Sequence, residues 1–169
     1  MKLIVTNKTS RLLAGMIALA AATFGADVLA ATASGTANAT VIVPISISAG
    51  TALNFGTFAA NSGGGTVVIT TASARSATGT VALSATTPGV AGTFTVTGNA
   101  GSTFAITNPG TFNVTSGANS MSVSLTGLAT IGTLTAGTAT IQVPGTLTVG
   151  ASQAPGSYTG TYNMAVEYN

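Results

Sequence analysis

From Ala31 onward, apolar residues recur at alternate positions in short runs, and no stretch keeps a helical period of 3.6 over helix length. Such runs are "TVVIT" (66–70), "GTFTVTG" (92–98), "STFAIT" (102–107), "TFNVT" (111–115), "SMSVSLTGL" (120–128), "ATIQVP" (139–144) and "TLTVG" (146–150). "LNFGTF" (53–58) and "TGTVALS" (78–84) read as further strands. Between the runs stand "NSGGG", "TTPG", "GNAGS", "NPG", "SGAN" and "QAPGS", residues that favour turns. Many short alternating strands with turns between them predict an all-β, two-sheet sandwich of Greek-key type. Its buried face should gather Phe55, Val81, Leu83, Phe94, Val96, Phe104, Ile106, Phe112, Val114, Met121, Val123, Leu125, Ile141 and Val143.

The two ends carry the longest alternations. In "ATASGTANATVIVPISIS" the odd-numbered face reads Ala31, Ala33, Gly35, Ala37, Ala39, Val41, Val43, Ile45 and Ile47. That is far longer than a usual strand of about 5–6 residues, and Pro44 cannot donate a ladder hydrogen bond. The expected division is an arm over 31–43 followed by a domain over 44–169, with a break near Ala39 as the alternative. In "GSYTGTYNMAVEYN" Gly156, Tyr158, Gly160, Tyr162, Met164, Val166 and Tyr168 share one side of an extended chain, so the terminal strand should be held on a core.

The first thirty residues read as a secretory leader. Lys2, Lys8 and Arg11 precede the apolar run "LLAGMIALAAA", and small residues follow, with cleavage expected after Ala30 or, alternatively, Ala33. Removal of 1–30 leaves Arg75 and Glu167 as the charged side chains, so no basic patch suits nucleic acid. Both are expected as solvated side chains. Cys and His are absent from the whole sequence, so no disulfide, His/Cys metal site or Ser-His-Asp arrangement is available. One carboxylate cannot make a paired-carboxylate site. The expectation is a protein that is not an enzyme and takes no cofactor or metal. A near-neutral surface associates readily, which suits a chain that assembles.

The pairing of Gly156 with the penultimate Tyr168, above alternating apolar residues, resembles the C-terminal signature of chaperone–usher pilus subunits. "TALNFGTF" (51–58) and "APGSYTGTYNMAVEY" (154–168) resemble the opening and closing strands of spore-coat-protein-U-like, archaic pilins. "ARSATGTVAL" (74–83) with "TLTVGASQAPGSYTG" (146–160) is closer still to a domain-of-unknown-function family of secreted proteobacterial proteins. One departure is that many such pilins staple their first strand with a disulfide, and this chain has no Cys.

The resemblance implies an immunoglobulin-like sandwich lacking one strand and completed by donor-strand exchange. It implies a donor arm presenting Gly35, Ala37, Ala39, Val41 and Val43. It also implies a groove or chaperone-facing terminal strand presenting Gly156, Tyr158, Tyr162, Met164, Val166 and Tyr168. The implied partners are identical or related subunits, a periplasmic chaperone and an outer-membrane usher, in a fimbrium at the cell surface. A self-complete secreted β-sandwich of the cell surface or biofilm matrix shares the same composition and is the alternative. A small outer-membrane barrel fits poorly, since aromatic girdles are missing.

Overall fold

The computed structural model describes residues 31–169; the leader assigned to residues 1–30 lies outside them. The chain divides after Ala39, and residues 31–39 carry no regular element. Every regular element of the described residues is a β-strand. The strands are β1 (Ser46–Ala49), β2 (Phe58–Ala59), β3 (Gly65–Ile69), β4 (Arg75–Ala77), β5 (Ala82–Leu83), β6 (Gly92–Thr97) and β7 (Thr103–Thr107). They continue as β8 (Thr111–Ser116), β9 (Asn119–Ser124), β10 (Ile131–Thr133), β11 (Thr138–Val143), β12 (Gly145–Val149) and β13 (Ala165–Tyr168).

One layer of the sandwich is a five-stranded sheet in the order β4-β3-β12-β9-β8. The other is built from two three-stranded sheets, β1-β6-β11 and β10-β7-β13, with β2-β5 as a separate pair. The two three-stranded sheets share one bent ribbon. β11 runs antiparallel beside β6 and β10 beside β7. At the bend, Gly98 N–H donates to Gly137 O (3.0 Å), Gly101 N–H to Leu134 O (2.8 Å) and Leu134 N–H to Ser102 O (2.9 Å). Gly101 and Gly137 sit there at φ +79° and +82°, a backbone region that side chains resist. Pro144, which has no N–H to give a ladder, marks where the chain leaves β11 in one layer and enters β12 in the other.

Alternation then places the core. Val67, Val123, Leu147 and Val149 from the five-stranded sheet meet Val96, Phe104, Ile106, Ile141 and Val143 from the bent ribbon in one buried cluster. All fourteen side chains expected on the buried face belong to it or pack against it. Val67, Leu128, Leu134, Leu147 and Val149 join the buried cluster although periodicity did not single them out. The outward face of the same strands is short and hydroxylic: Ser46 lies beside Thr97, which lies beside Thr138.

The differences from the sequence reading have local causes. The expected strand at 78–84 shrinks to β5, and that at 53–58 reduces to a bridge at Asn54 and the two residues of β2. Gly56, at φ +69°, breaks the ladder between them. β4 and β10 are short strands that the pattern did not show.

Leu134 is fully buried at the ribbon's bend. Leu134→Ala should cost about 2–5 kcal/mol, read as a lowered urea midpoint with an unchanged slope.

Candidate functional site

The chain that follows β1 is paired along one side only. After the β1–β6 ladder, Gly50 N–H donates to Thr93 O (2.9 Å) and Thr93 N–H to Thr51 O (2.8 Å). Asn54 and Val90 exchange two bonds (2.9 and 2.7 Å), Ser84 N–H donates to Thr57 O (3.0 Å), and β2 pairs with β5. Residues 46–59 thus run antiparallel beside 97–82 for their whole length. The Asn54 side chain accepts from Gly56 N–H (2.8 Å), an Asx-type turn at the break.

The last segment is also paired on one side, but it changes partner. Thr159 exchanges bonds of 2.8 and 3.0 Å with Thr115 of β8, in the five-stranded layer. Further on, β13 pairs with β7 in the other layer, Ala165 opposite Thr107 and Tyr168 opposite Phe104. Gly160 permits the first contact, because a Cβ there would collide with the Asn113 carbonyl. The expected alternation holds across the change: Tyr158, Tyr162, Met164, Val166 and Tyr168 all pack on the core. Gly156 lies against Ser116 instead.

These two segments touch at two ties. At one end the Tyr168 hydroxyl donates to Val43 O (2.7 Å) and accepts from Asn99 N–H (2.6 Å). Gly98 makes room for it, since a Cβ there would strike the Tyr168 hydroxyl. At the other end Ser152 N–H donates to Asn61 O (3.0 Å). Between the ties, 17 residues of the first segment (44–60) and 15 of the last (153–167) exchange no backbone hydrogen bond among the described residues. Towards the Asn61 end they border a cleft of about 1090 Å³. Its walls are Ala52–Ala60 and Gln153–Gly160, and its floor is Phe112, Val114, Met121 and Leu147 of the five-stranded sheet.

Tyr162 lies across this cleft. Its ring stacks on Phe112 (5.0 Å between centroids) and meets Phe94 edge-on (5.9 Å), so it joins both layers. Burial disfavours the phenolate and holds its pKa above the ordinary 10.0. Tyr158 is fixed by donating to Ala154 O (2.7 Å) and accepting from Gln153 Nε2 (2.9 Å). The lining is aromatic and aliphatic, bordered by strand edges, a surface suited to an extended chain with small apolar side chains.

The expected arm residues lie elsewhere. Gly35, Ala37 and Ala39 are exposed and outside any strand. Val41 is 96% exposed and Val43 57%, a costly display for β-branched residues unless something covers them. Ile45 and Ile47 pack on the core. Arg75 departs from the expectation of a solvated charge: its guanidinium donates to the carbonyls of Phe55 (3.1 Å), Thr57 (3.3 Å), Thr87 (2.9 Å) and Ser84. No sequence spacing could have revealed four carbonyls converging from two loops.

A family model described as "Domain of unknown function (DUF4402)" matches residues 45–168. No curated protein and no solved structure gives a significant match.

Two outcomes follow. Tyr168→Phe removes both bonds at the first tie, and at about 0.5–1.5 kcal/mol each should destabilise the domain by about 1–3 kcal/mol in urea unfolding, with faster amide exchange at Asn99. For Tyr162, the neutral phenol is the form the fold favours, so its stabilising effect is intact below pH 10.0 and is lost as pH rises through the higher folded value. Spectrophotometric titration should show a tyrosine component ionising above pH 10.0, and Tyr162→Phe should remove it.

Proposed function

This chain belongs to the DUF4402 family, and we propose that it is a structural subunit of a surface fimbria, an immunoglobulin-like sandwich one strand short that accepts a neighbour's N-terminal arm in its cleft. The observation that carries this reading is the pair of one-sided walls. A strand laid between 52–60 and 153–160 would find unpaired edges on both sides and an apolar floor beneath.

The arm fits the dimensions. Thirteen residues, 31–43, extend over about 43 Å and the cleft wall 52–60 over about 30 Å at a strand's rise per residue, so the arm spans the cleft with residues to spare. Main-chain bonds would supply affinity, and Val41 and Val43 would add about 1.5–3 kcal/mol each on full burial. Gly35, Ala37 and Ala39 would occupy the shallower positions on the same face.

Insertion into a neighbour is favoured over folding back. The arm joins the domain at the tied end, where Val43 meets Tyr168. Entry into its own cleft would require a reversal within "ATVIVPI" (39–45), which holds no Gly, Asn or Asp to make one and five β-branched residues that resist it.

In this reading the leader exports the chain to the periplasm. There a chaperone strand shields the cleft until an outer-membrane usher passes the subunit to the growing fimbria. The reading includes no catalysis and no cofactor.

The test compares the exported chain with a variant lacking 31–43, and with Val41→Asp/Val43→Asp, in detergent with and without boiling. The full chain should give ladders that survive detergent and collapse on boiling. Both variants should remain folded and lose the ladder. A full chain that stays monomeric under every condition and unfolds cooperatively would instead identify a self-complete sandwich.

A further inference from the structure

We propose that Arg75 is the positioning residue that holds the leading wall of the cleft in a strand-accepting shape, an assignment that rests on the reading of the cleft as a strand acceptor. The wall needs such a support. Between Asn54 and Phe58 its ladder is interrupted by Gly56 at φ +69°. Its cleft edge is unpaired, and the strand beyond the break is two residues long. Backbone held on one side by a broken ladder should open locally well before the sheet it borders.

Arg75 begins β4, at the edge of the five-stranded layer. From there its guanidinium donates to Phe55 O and Thr57 O on either side of the break. It also donates to Ser84 O and Thr87 O in the loop behind the wall. One side chain therefore fastens three pieces of backbone that share little regular ladder. The planar fork of five N–H donors matches this task; an ammonium offers three donors from one point.

Two glycines make room for it. A Cβ on Gly56 would collide with the Arg75 Nη1, and one on Gly89 would collide with Ile69 Cδ1 and stand 3.0 Å from Arg75 Cδ and 2.9 Å from Asn54 O. The wall's break, the loop's glycine and the cation are therefore parts of one fitted arrangement. The four acceptors are neutral carbonyls, which satisfy the donors and leave the positive charge uncompensated by any carboxylate among them.

The test uses the full chain and its Arg75→Met and Arg75→Lys variants, with two readouts. The first is hydrogen exchange of the amides at 54–59 against those of Val67, Val123 and Leu147. The second is capture of a fluorescent synthetic peptide of residues 31–43. In Arg75→Met, exchange at 54–59 should accelerate at least tenfold while the three core amides keep their protection, and peptide affinity should fall at least tenfold. Arg75→Lys should lie between Met and wild type in both readouts.

Unchanged exchange and capture in Arg75→Met would overturn the proposal. So would loss of protection throughout the molecule, which would make Arg75 a general determinant of the fold rather than of one wall. Arg75→Lys matching wild type in both readouts would also overturn it, since charge alone would then suffice. A wild-type chain that captures no peptide, in which Arg75→Met still loosens 54–59 selectively, would remove the strand-acceptor reading and leave Arg75's hold on the wall established.

Discussion

Each strand carries hydrogen-bonding groups on two edges, and the segments flanking the cleft satisfy one edge apiece. The first is laddered to 82–97 and the last to β8 and then β7. Unpaired amides and carbonyls at an apolar opening are costly in isolation and adhesive in company. Most of the molecule's unusual features serve that pair of edges. The Tyr168 and Ser152 ties fix where the segments meet, Tyr162 joins the layers between them, and Arg75 secures the wall that its own ladder secures least.

The stability of the sandwich rests on a different part of the structure. Val67, Val96, Val123 and Val143 are completely buried between the five-stranded sheet and the bent ribbon, remote from any need for a partner. Residues around the cleft, including Leu53, Phe55, Phe112, Val114 and Tyr162, pack on that core but remain only partly covered. This division lets the domain hold its shape while one region keeps apolar surface in reserve. Short hydroxyl side chains outside and few charges suit such a division, because exposed charge contributes little to either task.

Much of this was legible in the chain. Period-two alternation located most strands and all of the expected buried face, because strand geometry couples position to side so tightly. It also located the inward face of the last segment. It could not show that this segment changes sheets between Gly160 and Ala165, since alternation is the same whichever neighbour supplies the ladder. Gly56 was visible in "NFG", but its left-handed conformation depends on tertiary fit, so 53–58 looked like an ordinary strand. Arg75 was read as a solvated charge because carbonyls bind cations without leaving any trace in side-chain identity.

The contact between Val43 and Tyr168 brings the start and finish of the packed unit to one pole. Neighbouring ends allow the connectivity to be rewired without disturbing the layers. A short bridge from Asn169 to Thr40, with new termini cut at the Gly117–Ala118 hairpin, would preserve every ladder described. Such a circular permutant would turn the exposed valines into part of a closed loop and leave the layers to fold in a new chain order.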